Sequence, residues 1–155
     1  MKSLVFEIGA GELFDRLTIL ELKVRHARNE DQLRRASGEL QRARELTESG
    51  EWPIDQISQI APLVGELRVV NERLWRVEDQ LRRCETIADF GPPFVELSRA
   101  VYLNNDLRAA IKRRIDECLS PSFMQDKIYA EDSRPEHGDD EARDCSKDRP
   151  LHAAR

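Results

Sequence analysis

An all-α fold, an antiparallel three-helix bundle built around a helical hairpin, follows from two apolar ladders and the breaker between them. Leu63, Leu67, Val70, Leu74, Val77, Leu81, Cys84 and Ala88 succeed one another at steps of four and three. After Asp89-Phe90-Gly91-Pro92-Pro93 the rhythm resumes through Phe94, Leu97, Val101, Asn104, Arg108, Ile111, Ile115 and Cys118. Such steps keep one stripe of a helix facing a partner. A five-residue connection makes the two helices antiparallel neighbours. A charged fraction of 35% with nine aromatic residues fits long solvated helices better than a β-rich core.

Taken in order, Ser3 to Ile8 is a short apolar run that reads as a strand or a tether, and Gly9-Ala10-Gly11 breaks the chain. Leu13, Leu17, Leu20, Val24 and Ala27 then form one stripe, with Phe14, Ile19 and Leu22 adding apolar surface beside it. This first helix should be the most buried. The register slips afterwards to Leu33, Ala36, Leu40, Ala43 and Leu46, and Asn29 with Gln32 three residues on can cap a new start. The first helix is therefore either broken near residues 29–31 or long with a changed contact face. Unbroken from Glu12 to Glu48 it would run about 55 Å at 1.5 Å per residue, too long for its neighbours.

Ser49-Gly50-Glu51-Trp52-Pro53 reads as a turn, with Asp55 or Ser58 capping the next helix. Pro62 is best tolerated in a first turn, which places that helix from about Ser58 to Ile87. Gly91 is the natural left-handed stop and the prolines prevent continuation. The last helix runs from about Pro93 to Leu119 and ends at Ser120-Pro121. Residues 1–120 form the bundle domain, and 121–155 an extension whose polar, acidic, aperiodic end reads as disordered.

Net charge is −5, and eight acids against five bases lie between Ala130 and Arg155. The nearly balanced remainder offers no broad footprint for nucleic acid. Three scattered cysteines without metal spacing, Cys84, Cys118 and Cys145, suit a reducing cytosol. Glu7 interrupts any signal-peptide core, and no stretch approaches the roughly 18 apolar residues of a membrane span. The expected location is cytoplasmic. No cofactor or resident metal is called for; His137 and His152 lack a helical context.

Two motifs dissolve on inspection. Gly9-x-Gly11 has Phe14 where a dinucleotide loop needs its third glycine, and no βαβ pattern follows. Asp89-Phe90-Gly91 is a helix stop without any other kinase element. More informative are the polar rungs. Asn104 and Arg108 stand where packing alone would place Leu, and a buried guanidinium needs a carboxylate or an anionic ligand. Glu78, Asp79, Glu21 and Asp15 are its candidate partners. Asn71, Trp75, Glu78, Arg82 and Glu85 flank one ladder, and Ser98, Tyr102, Asn105 and Lys112 flank the other. These flanks serve either as interhelical glue or as walls of a groove with Trp75 and Tyr102 as flat platforms.

Three segments, Gly11-Glu-Leu-Phe-Asp-Arg-Leu-Thr-Ile-Leu-Glu-Leu-Lys23, Asn71-Glu-Arg-Leu-Trp-Arg-Val-Glu-Asp-Gln-Leu-Arg82 and the stretch from Asp89-Phe-Gly-Pro-Pro through Val101-Tyr-Leu-Asn-Asn-Asp-Leu-Arg108 to Lys112, together resemble an uncharacterised family of short bacterial helical proteins, classed only as a domain of unknown function. The resemblance spans roughly Val5 to Ile115 and implies a place near surface-glycan and glycosyltransferase genes. It carries no catalytic residue, because the family has no established activity. The candidate ligand- or partner-binding residues Asp15, Lys23, Trp75, Glu78, Arg82, Tyr102, Asn105 and Arg108 all fall inside its blocks. Lys127-Ile128-Tyr129 looks like a remnant of the family's short C-terminal end.

The leading expectation is a small binding or accessory module in bacterial cell-surface polysaccharide production, with a protein partner or a small anionic ligand, and a homodimer. The alternative is a small helical enzyme acting on an anionic substrate. In a chorismate-mutase-like version Arg16, Lys23, Arg82 and Arg108 would grip the substrate beside Glu78. In a Mg²⁺ pyrophosphohydrolase-like version Glu12, Asp15, Glu78 and Asp79 would hold the metal. Full internal pairing of Arg108 with no cavity beside Trp75 would count against the enzyme. Three or more basic groups converging on an open pocket would count against a mere scaffold.

Overall fold

The structure, a computed structural model, describes residues 7–50 and 52–119. The expected N-terminal strand or tether mostly precedes these residues, and the acidic extension with its histidines and Lys127-Ile128-Tyr129 lies beyond them. Four helices occupy the described residues: α1 (Ala10–Arg25), α2 (Glu30–Ser49), α3 (Ile54–Thr86) and α4 (Pro92–Leu119). There is no strand among them.

Three helices were expected and four are found, because the register slip is a true break. α1 ends at His26, whose N–H donates to the Leu22 carbonyl at 2.9 Å. The Asn29 side chain then accepts from the Gln32 N–H at 2.9 Å, while Gln32 Oε1 accepts from the Arg28 N–H at 3.0 Å. The pair the sequence marks satisfies one orphan donor of the new helix, the Gln32 N–H, and ties down the N–H of the residue before the cap.

α3 begins earlier than expected, and Pro62 lies inside it rather than in its first turn. Neither Asp55 nor Ser58 caps: the start follows Pro53, and the Ser58 hydroxyl donates back to the Ile54 carbonyl at 3.0 Å. An interior proline costs about 3 kcal/mol. Here its ring is exposed, while Ile60, Leu63, Val64 and Leu67 bury the opposite face and offset that cost.

The α3–α4 turn also departs from expectation. Gly91 does not have a positive φ; Ala88 does, at 52°. The Asp89 N–H donates to the Cys84 carbonyl at 2.9 Å and the Ala88 N–H to that of Glu85 at 3.2 Å. This is the paired 6→1 and 5→2 helix stop, built on alanine where glycine is usual. Asp89 Oδ1 then accepts from the Gly91 N–H at 3.1 Å and shapes the exit.

α1 is the middle layer. It packs against α2 on one side and against α3 and α4 on the other, while α2 makes no close backbone approach to α3 or α4. Glu12 and Asp15 face Lys112 and Arg108, so α1 runs antiparallel to α4; Thr18 and His26 face Asn71 and Trp75, so it runs parallel to α3. As expected, α1 is the most thoroughly buried helix, with Phe14, Leu17, Leu20 and Leu22 in the interior. The core continues through Leu40 and Ala43 of α2, Ile60 to Leu74 of α3, and Ile111 and Ile115 of α4. Trp52 closes one end, its ring tilted 39° to Phe14 at 5.6 Å.

α1 is only 16 residues long against 33 for α3, or about 24 Å against about 50 Å by helical rise. It covers the hairpin near α4's C-terminus and stops at Trp75. Beyond that level α3 and α4 continue as a two-helix arm to the tip at Ala88.

Candidate functional site

Two polar regions emerge where α1 meets the hairpin. The first is a buried knot. Asp15 and Asn71, both under 5% exposed, join when Asn71 Nδ2 donates to Asp15 Oδ1 at 2.7 Å and to Thr18 Oγ1 at 2.9 Å. Thr18 Oγ1 donates to the Asp15 carbonyl at 2.8 Å. Arg108 Nη1 reaches Asn71 Oδ1 at 3.4 Å, and its Nε lies 3.9 Å from Asp15 Oδ2. Lys112 pairs closely with Glu12 and stands 3.9 Å from Asp15.

Of the four carboxylates proposed for Arg108, Asp15 alone is at hand. Glu21 instead holds Arg68 through two contacts, at 2.8 and 3.3 Å, which raises the arginine pKa still further. Asn104 turns its amide to its own helix, donating to the Ala100 carbonyl at 2.7 Å.

Asp116 belongs to the same end of the molecule. Its Oδ1 accepts from the Gly11 N–H at 2.7 Å, at the positive end of α1. A side chain at Gly9 would strike the Asp116 carboxylate, and one at Gly11 the Lys112 carbonyl. The Gly9-x-Gly11 pair thus permits close approach of α1 to α4, which explains it without any phosphate. Burial pushes the Asp116 pKa up, and Glu12 adds to this, against the Gly11 hydrogen bond and Lys112. Every buried side-chain nitrogen and oxygen among the described residues has a partner. The knot can fix register, and its own groups consume its bonding capacity.

The second region is open. Lys23 of α1, His26 at its C-cap, Arg28 of the α1–α2 turn, Gln32, Arg35 and Glu39 of α2, and Trp75, Asp79 and Arg82 of α3 line a cleft of about 460 Å³, with Ala27 and Ala36 beside them. The His26 and Trp75 rings lie 4.9 Å apart and 20° from parallel. Glu39 is engaged by Arg16 at 3.4 Å, and Arg82 reaches Glu78 at 3.2 Å and Asp79 at 3.9 Å. Lys23, Arg28 and Arg35 form no ion pair with any described residue. Four fixed cations therefore meet two carboxylates, of which Glu39 is engaged from outside by Arg16 and Asp79 lies beside Arg82 within the cleft.

The eight sequence candidates divide accordingly. Lys23, Trp75 and Arg82 share the cleft; Asp15 and Arg108 lie in the knot. Glu78 lines a separate shallow groove on the arm with Leu81, Arg82, Phe94, Ser98 and Val101, and Arg82 borders both. Tyr102, half exposed, and Asn105 are in the lining of neither, whereas Trp75 lines the cleft. The four-residue grip does not assemble, since Arg16 is held by Glu39 and Arg108 by Asp15. The four-carboxylate set is split as well: Glu12 and Asp15 face Lys112, whereas Glu78 and Asp79 face Arg82.

Sequence reasoning missed Thr18, His26, Arg28, Arg35 and Asp116. The Gly9-x-Gly11 spacing carried a signal for a close neighbour but not for which residue it was. No helix of the described residues is long and apolar enough to cross a membrane. No family model, curated protein or solved structure matches the chain.

Proposed function

We propose that this protein is a small helical binding module whose ligand is an anion seated in the cleft beside Trp75. One observation carries the reading: Lys23, Arg28 and Arg35, from α1, the α1–α2 turn and α2, converge on one opening without carboxylate partners. Other cations of the hairpin are answered internally, as in Arg68–Glu21, Arg114–Glu66 and Lys112–Glu12. Unanswered like charges at close quarters repel one another, and an anion relieves that repulsion. The knot supports the site by fixing where α1, and with it Lys23 and His26, sits against α3.

An accessory role in cell-surface polysaccharide production rests on the sequence resemblance alone. The half-covered arm supports a second part of the proposal, association of two copies through α3 and α4. Light scattering on the intact chain tests it, and a strictly monomeric mass at 100 μM would remove it.

The anion reading is tested by titrating diphosphate into ¹⁵N-labelled protein at low salt. Resonances of Lys23, Arg35 and the Trp75 indole should move together, and a Lys23→Gln/Arg35→Gln double variant should weaken binding at least tenfold. Unmoved resonances, or equal affinity in the variant, would overturn it.

A further inference from the structure

The cleft has a second property besides charge: one of its walls is aromatic. Trp75 lies on α3 and His26 at the C-cap of α1, yet their rings are nearly parallel at stacking distance and both border the opening. Aromatic pairs favour offset stacking, and the stack has room to extend where a flat face meets open space. The opening is also larger than a simple anion needs. At about 460 Å³ it falls within the range of roughly 300–1,000 Å³ typical of small-molecule sites.

The kind of cation narrows the anion. Three of the four are arginines, and a guanidinium presents a planar fork that engages two oxygens of one phosphate at once. Arg28 and Arg35 arise from the turn and from α2 and carry no ion pair with any described residue, so they approach from separate directions, while Arg82 of α3 borders the same cleft with its guanidinium held by Glu78 and Asp79. Forks converging in this way suit a group with several charged oxygens, such as a phosphate ester or diphosphate, better than a single carboxylate. We infer that the cleft binds a phosphate ester carrying a flat aromatic ring, the class to which nucleoside diphosphates belong. The phosphates face Lys23, Arg28 and Arg35, and the ring continues the Trp75–His26 stack. The inference rests on the anion reading above and adds the ring.

Calorimetric titrations of the full chain at low salt separate the two. The probes are inorganic diphosphate, adenosine, ADP and UDP. ADP should bind at least tenfold more tightly than diphosphate, UDP in between because its smaller base stacks less, and adenosine at least a hundredfold more weakly than ADP. Trp75→Leu should cut the advantage of ADP over diphosphate, each measured on the same variant, from at least tenfold to less than twofold. Because Trp75 packs at a helix junction, His26→Ala serves as a second variant and should lose part of the same ADP gain. In a Trp52→Phe background ADP should quench the remaining indole fluorescence, a readout that needs no change at the site. Equal affinity for ADP and diphosphate, or ADP binding indifferent to both ring variants, overturns the ring and leaves the anion reading standing. Absence of binding by all four probes overturns both.

Discussion

The two halves of the α3–α4 hairpin obey one sequence rule and reach different physical states. In the half covered by α1, Leu63, Leu67, Val70 and Leu74 face Ile111 and Ile115, and all are buried. From Trp75 to Ala110 the same 3,4 rhythm continues through Val77, Leu81, Cys84, Phe94, Leu97 and Val101, yet no residue in that span is buried. Periodicity reports which face of a helix meets its neighbour. It does not report whether a third element lies on top. The covered half can afford charges inside because it has partners for them; the arm keeps its charges at the rim.

This contrast makes the covered half the seat of stability. Leu67→Ala, at a fully buried site, should cost about 3–4 kcal/mol in urea denaturation, whereas Leu81→Ala on the arm should cost about 1 kcal/mol. Similar losses at both sites would mean that the arm is covered in solution. Gly11→Ala comes next, at about 2–3 kcal/mol, because its methyl group would meet the Lys112 backbone rather than a yielding side chain. Asn71→Ala removes the donor shared by Asp15 and Thr18 and should cost about 1–3 kcal/mol, read from the same denaturation midpoint.

Asp116 gives a pH signature to the covered half. Its pKa is raised in the folded state, so the folded chain holds this proton at higher pH than the unfolded chain does. Its contribution to stability is therefore fully present below the ordinary value of 3.8 and declines as pH rises through the raised one. Asp116→Asn keeps an acceptor for the Gly11 N–H and removes the desolvated charge. Relative to the parent its stability should improve as pH rises from 4 towards neutrality, and an unchanged difference across that interval would contradict the assignment. The smallest effect belongs to the arm: Ala88→Gly relieves a left-handed alanine and should raise stability by about 1 kcal/mol or less.

Much of the fold was legible locally. The α1 stripe and the paired ladders are signals within single helices and led to the right elements, whereas the Asn29–Gln32 cap left a break and a continuous helix both open. Pro62 misled because propensity is local and the burial on the other face of α3 overrode it. The site was legible only where it lay on α1 or α3. Lys23, Trp75 and Arg82 stood beside recognisable stripes, but Arg28 and Arg35 join them only because α2 folds back along α1. Likewise Arg108 was recognisable as needing a carboxylate, while the choice of Asp15 over Glu78 depends on how deeply α1 is inserted.

The contact between Gly11 and Asp116 spans 105 positions of sequence. During synthesis the first helix is therefore made long before the residue that seats its end. Until α4 has been completed, the apolar flank of α1 and the unpaired Asp15 have no finished site to occupy. Folding of the bundle is thereby coupled to the synthesis of α4. A ribosome stalled before residue 116 should carry a nascent bundle that proteases still recognise.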